Sequence, residues 1–155
     1  MQIEEMLTAA LVITSGYWDL AADRVPNVIT LPSMAAGLFL CALRHGAGET
    51  VIRIVLELVL MLIIGPLGIT GFGDLKLWMA LIALAGAADG TFIFLSGCLV
   101  LMAYILITRP REGMMSIANA RRMIRGGKIE KTQNTEGYPL AFFIMAAYPA
   151  YLLFI

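Results

Sequence analysis

The sequence has little charge and almost nothing that holds a metal. Of its 155 residues 14% are charged, two are cysteines and one is a histidine. Cys41 and Cys98 lie far apart, each inside an apolar run, and there is no CxxC pair. A thiolate zinc site is therefore excluded, and each cysteine reads as a small packing residue. His45 stands beside Arg44 in a short polar connector, with no second His or Cys nearby, so no metal is expected there. The start lacks basic residues as well. Met1-Gln2-Ile3-Glu4-Glu5 is acidic, where a cleavable signal peptide needs Lys or Arg. The first apolar run is expected to remain as a membrane helix. No internal repeat and no separate soluble domain stand out, and neither a cofactor nor a nucleic-acid partner is expected.

Apolar surface is what the chain has in excess. It is 60% hydrophobic, with a mean hydropathy of +0.86. A soluble domain of this size cannot hide so much, so lipid must be the solvent for much of it. The expected fold class is all-α, a polytopic membrane protein in which residues 1–155 form one membrane-embedded domain. Six apolar segments stand out, at roughly 3–18, 28–43, 51–69, 75–88, 91–107 and 138–155. A full crossing takes about 17–25 residues, so the shorter ones imply a thin bilayer or ends at the interface. Gly86-Ala87-Ala88-Asp89-Gly90 reads as a tight hairpin with Asp89 solvated. Glu57, inside the third segment, is expected to snorkel outward or to pair with Arg53 one turn earlier.

Basic residues set the orientation. With the N-terminus outside, the inner side holds nine of the 11 Lys and Arg, and the outer side holds Arg44 and Arg53. That orientation puts the 19–27 loop, the Gly71–Lys76 stretch and the long 108–137 loop in the cytoplasm. The long loop is basic. On a helical wheel Arg111, Arg121, Arg122 and Arg125 fall on one arc, and Ile117, Ala120, Met123 and Ile124 on the other. This describes an interfacial helix on an anionic membrane surface; the alternative is an ordinary basic loop that Gly126-Gly127 interrupts.

One stretch breaks the apolar pattern: Gly71-Phe72-Gly73-Asp74-Leu75-Lys76. A carboxylate at the edge of a membrane segment is costly and points to function, and flanking glycines allow a sharp turn or a close backbone approach. The plain alternative is a solvated turn. A second such stretch, Trp18-Asp19-Leu20-Ala21-Ala22-Asp23-Arg24-Val25-Pro26-Asn27, closes the first segment and opens the second. Asp19 and Asp74 then sit at one depth on the same side. Two carboxylates in close approach cannot both ionise, so one proton is shared. Such a pair activates a water and protonates a leaving amine. The alternative is that Asp19 and Asp23 cap the next element or pair with Arg24.

Asp19-Leu20, Val25-Pro26-Asn27 and Thr30-Leu31-Pro32, followed by Gly71-Phe72-Gly73-Asp74-Leu75-Lys76-Leu77, resemble the type IV prepilin peptidase family of GxGD intramembrane aspartic proteases, in particular its short Tad/Flp-type branch. The resemblance implies cleavage of prepilin leader peptides at the cytoplasmic face of the bacterial inner membrane, as part of pilus biogenesis. It also implies that Asp19 and Asp74 are the catalytic aspartates, with Gly71 and Gly73 as motif glycines. The family's spacing to Pro26-Asn27 selects Asp19 over Asp23. Lys76 is read either as an interface anchor or as the partner of a substrate glutamate. Larger members carry paired CxxC motifs and methylate the new N-terminus; without those cysteines, methylation is not expected here. Presenilin-like relatives share GxGD but have a late Pro-Ala-Leu motif, which Tyr148-Pro149-Ala150 does not match. The alternative functions are a preflagellin-type or other GxGD signal-processing peptidase, a small proton- or cation-coupled transporter subunit, and a non-catalytic assembly subunit.

Overall fold

The computed structural model describes residues 3–22, 25–67, 71–110, 114 and 138–154. Among these there is no strand. Six long helices follow in order: α1 (Ile3–Ala22), α2 (Asn27–Arg44), α3 (Gly46–Leu67), α4 (Phe72–Ala85), α5 (Ala87–Thr108) and α6 (Leu140–Phe154). They correspond to the six apolar segments. Asp23, Arg24 and the basic 111–125 segment, apart from Met114, fall outside the described residues.

Short connections make neighbouring helices run antiparallel, and α4 is their common centre. Leu77, Leu81, Ile82 and Leu84 of α4 are completely or almost completely buried, as are Ala80 and Ala83. A helix that is apolar all round belongs inside a bundle, and α1, α2, α3, α5 and α6 all contact it. Glycine permits two of these approaches. A Cβ at Gly37 of α2 would lie 2.5 Å from the Ala83 carbonyl carbon, and one at Gly90 of α5 would lie 2.6 Å from the Leu81 backbone. Neither helix axis could come as near to α4 with a side chain at that position. α6 packs in the same way, with Gly97 of α5 against Ile144.

The outer surface is apolar and part of the interior is polar. Val28, Phe39, Leu43, Leu62, Leu99, Ile107 and Leu153 are exposed, whereas Thr8, Ser15, Asp19, Thr30, Arg53 and Glu57 are buried. Exposed apolar surface on this scale marks contact with lipid or partners. Two of the described helices, α2 and α5, are long and apolar enough to cross a membrane by length and composition; α6 is apolar but shorter. Six sequence segments thus give two helices that satisfy this criterion. α4 has only 14 residues, and α1 carries acidic residues near both ends, Glu4, Glu5 and Asp19.

Three local expectations are corrected. The 86–90 hairpin is a single residue: Gly86, at φ +98°, ends α4 and caps α5, and Asp89 stands in the first turn of α5. A positive φ suits glycine alone among common residues. Arg53 is a buried residue of α3, not an outer-loop residue. Its Nη1 donates to the Ala83 carbonyl at 3.0 Å and its Nε to Glu49 at 3.4 Å. Glu57 therefore does not snorkel, and it feels the charge of Arg53 without a hydrogen bond to it. It is 4% exposed, and its Oε1 has no hydrogen-bond partner among the described residues.

Candidate active site

At one end of the bundle α1 finishes, α2 and α4 begin, and α6 begins. Asp19 lies in the last turn of α1, 5% exposed. Its Oδ2 accepts a 2.8 Å hydrogen bond from the backbone N–H of Ala141. Pro139 precedes α6, and its carbonyl accepts from the Phe143 N–H, so Ala141 is in the first helical turn. First-turn N–H groups have no partner within their helix. Asp19 thus supplies to α6, from across the bundle, what a capping side chain usually supplies locally. The N–H and the positive end of the helix both favour negative charge on that oxygen.

Asp74 lies in the turn ahead of the apolar span that starts at Leu75. Gly71, with φ −60° and ψ 146°, is the N-cap of α4 and has no side chain with which to cap it. Asp74, three residues on, reaches back and accepts from the Gly71 backbone N–H. This is the second half of a capping box, in which the third helical residue satisfies the N-cap donor. The carboxyl is half-buried, and its pKa is pushed up to about 6. Burial is the largest cause and the negative charge of Asp19 the next; the Gly71 hydrogen bond opposes both. The two aspartates are therefore brought together closely enough to act on each other. Cys98 of α5 also lies within electrostatic reach of Asp74.

The Pro-Asn stretch is tied to the same place. Val25 is buried in the core, and the Pro26 carbonyl accepts from the Ile29 N–H at 3.0 Å, starting α2. Asn27 follows, and its Oδ1 accepts from Lys76 Nζ at 2.9 Å. Lys76 is thus engaged within the chain, which the sequence did not indicate. Its ammonium joins the first turn of α2 to the second turn of α4.

The motif glycines behave differently from the expectation that they turn sharply or pack against backbone. Gly71 has a φ that any residue adopts. A Cβ there would come 3.3 Å from Asp74 Oδ2, so a side chain would press on the carboxylate. A Cβ at Gly73 would meet nothing within 4 Å. That leaves open space next to Asp74.

Sequence reasoning missed Ala141 altogether. Its contribution is a backbone N–H, which leaves no residue-type signal; Pro139 before an apolar run was the only hint that a helix starts there.

A family model described as the type IV leader peptidase family matches residues 6–106. The match takes in α1 to α5 and both aspartates, and stops before α6. No curated protein and no solved structure matches the chain.

Proposed function

The chain belongs to the type IV leader peptidase family, a family of membrane-associated proteases, and from that premise we propose that it is an aspartic endopeptidase that removes the leader peptide of a prepilin-type substrate through Asp19 and Asp74. The observation that carries this reading is the meeting of the two carboxylates at one end of the bundle, where Asp74 responds to the charge of Asp19.

The two aspartates sit in unequal surroundings, which divides the work between them. Asp19 accepts the Ala141 N–H, a contact that favours its carboxylate form. Asp74 is half-buried beside that charge and holds the proton. A water between them gives a proton to Asp19 as its oxygen attacks the scissile carbonyl. Asp74 gives its proton to the carbonyl oxygen, so charge does not build up on the tetrahedral intermediate. When the C–N bond breaks, the proton on Asp19 goes to the leaving amine, and the carbonyl proton returns to Asp74. The resting pair is restored with one water consumed.

The substrate backbone approaches through the open space at Gly73. Lys76 donates to Asn27 and so ties the start of α2 to α4 next to Asp74. Membrane embedding is supported by the exposed apolar surface and by α2 and α5. Exposed Tyr17 and Trp18, immediately before Asp19, suit an interfacial depth for the site. The basic residues assign that end to the cytoplasm, with the N-terminus outside and six helices in the bilayer. The resemblance to the short Tad/Flp-type branch makes an Flp-type pilin precursor the expected substrate.

The test is co-reconstitution with a prepilin-type substrate in proteoliposomes, reading the cut site by mass spectrometry. The wild-type protein should release one leader fragment. Asp19→Asn and Asp74→Asn should release none at equal membrane levels. Cleavage by either variant at the wild-type rate would sink the assignment.

A further inference from the structure

The helices of the bundle treat their hydroxyl side chains alike, with one exception. A Thr or Ser hydroxyl inside a helix can donate to a carbonyl one turn back. Thr8, Thr14, Ser33, Thr50 and Thr108 donate to the fourth carbonyl back, and Ser15 and Ser96 to the third. Thr91 accepts from the indole N–H of Trp78. Thr30 of α2 is the exception among the described residues. It is 1% exposed, and its Oγ1 has no hydrogen-bond partner. The carbonyl one turn back is that of Pro26, which already accepts from the N–H groups of Ile29 at 3.0 Å and Thr30 at 3.4 Å. A buried hydroxyl normally has a partner, and leaving it without one is costly.

Thr30 stands at the catalytic end. α2 and α4 both begin there and run side by side, with Gly37 against Ala83 and Leu84. Seven residues back along each helix, Thr30 is level with Lys76 and Leu77, just past Asp74. The bond from Lys76 to Asn27 agrees with that register, since Asn27 is three residues before Thr30 and on the same face. Helical side chains lean toward the N-terminus of their helix. The Thr30 hydroxyl therefore leans toward the level of Gly73, where a Cβ would meet nothing within 4 Å. The start of α2 has no side-chain cap and no acidic residue in its first turn. That of α4 carries Asp74, and that of α6 receives Asp19. Among the described residues, then, the start of α2 is the one at this end that no carboxylate faces, and its positive end favours an oxygen acceptor. Asp19 itself is 5% exposed, so the substrate-free bundle is closed over its catalytic end, and Thr30 is covered along with it.

We propose that Thr30 is a substrate-binding residue, its hydroxyl paired with a main-chain peptide group of the substrate beside the scissile bond. The inference rests on the protease reading above. A peptide drawn out between Asp19 and Asp74 loses the water or the helical bonds that satisfied its N–H and C=O groups, and each then needs a new partner. A hydroxyl both donates and accepts, so it serves either group. Occupancy satisfies the peptide group and the Thr30 hydroxyl together. It also explains why a hydroxyl is kept unpaired in a helix seam that Val would fill equally well.

The test separates binding from chemistry in proteoliposomes with a prepilin-type substrate. Thr30→Val keeps the shape and removes the hydroxyl; it should raise KM about five- to tenfold and leave kcat within about twofold. Thr30→Ser, which keeps the hydroxyl, should restore a KM near that of the wild type. Without substrate, Thr30→Val should melt no lower than the wild type, because the folded chain loses no bond. Thr50→Val, which removes the bond to Gly46, should leave KM unchanged. Replacing the main-chain amides around the cut by esters, one at a time, should reveal one position where the ester and Thr30→Val together do no more harm than the worse of the two. An unchanged KM in Thr30→Val would overturn the proposal. So would a lowered melting point, which would give the hydroxyl a structural partner such as a buried water. A wild-type protein that cuts no prepilin-type substrate sinks the protease assignment and this inference with it, whereas normal cutting with an unchanged KM sinks this inference alone.

Discussion

The two ends of the bundle follow one local rule and reach different results. Asp74 stands in the first turn of α4; Glu4, Glu5, Glu49 and Asp89 stand in the first turns of α1, α3 and α5. Every one of these carboxylates faces the positive end of its own helix. At the end away from Asp19 the groups of α1, α3 and α5 spread around an open cavity that Gly86 also lines, and Asp89 is exposed. At the other end Asp74 is half-buried and faces a second carboxylate that a neighbouring helix holds by its backbone. Placement in a first turn is therefore a matter of local chain chemistry. In the proposed mechanism, reactivity comes from depth and from a second carboxylate at the same depth.

Removing that second carboxylate should break the contrast most severely. Asp19→Asn and Asp74→Asn should each lower kcat/KM for leader cleavage on the order of 10³-fold or more, and the double variant should be little worse than either single one, because paired groups act as a unit. Near-additive losses in cleavage assays would mean that the two aspartates work separately.

Gly97 reaches both ends at once. A Cβ there would lie 2.3 Å from Ile144 Cγ1 and 2.7 Å from its Cα. α6 carries Ala141 to Asp19 at one end and Tyr148 to the cavity at the other. Gly97→Ala should cost about 1–3 kcal/mol by overpacking and, by displacing Ala141 from Asp19, lower leader cleavage. Gly48→Ala, with nothing within 4 Å of the new Cβ, should leave stability unchanged or raise it by up to ~1 kcal/mol. Equal melting shifts for the two variants would show that α6 is not seated on Gly97.

A smaller effect should appear in the pH dependence of stability. The folded-state pKa of Asp74 is raised from 3.8 to about 6. Its contribution to stability is thus fully present below pH 3.8 and is lost as pH rises through about 6. Relative to wild type, Asp74→Asn should gain on the order of 1–2 kcal/mol between pH 4 and pH 8, the half-exposed carboxyl being partly screened by solvent. Parallel melting curves across that range would show that the carboxyl is not perturbed.

The least effect belongs to the Lys76–Asn27 bond. Lys76→Met and Asn27→Ala should each slow cleavage several-fold, and the double variant should be no slower than the worse of the two, as expected when both remove one interaction. Full additivity in rate would return Lys76 to the role of a contact with substrate.

The sequence made the helices legible because apolar length and glycine punctuation are local properties. Their bounds differ from the apolar segments by a few residues, chiefly because polar residues such as Asp19 and Asp74 continue a helix that hydropathy would end. The shared end of Asp19 and Asp74 was legible for the same reason: alternation of short-linked helices fixes it. What was not legible depends on which faces meet. Arg53 reads as an outer-loop cation until α4 ends beside it and offers the Ala83 carbonyl. Lys76 reads as available until the start of α2 arrives with Asn27. The Ala141 N–H and the cavity above Gly86 have no side-chain signature, because one is backbone and the other is the space left by a short helix.

The most direct measurement is an infrared titration of the reconstituted protein, following the carbonyl stretch of the protonated carboxyl that disappears in Asp74→Asn. A shared site predicts that this band persists until pH about 6 in the wild type, and that Asp19→Asn, by deleting the neighbouring charge, moves its loss to lower pH. A band lost in the ordinary aspartate range, or one that Asp19→Asn leaves in place, would contradict the pairing of Asp19 with Asp74.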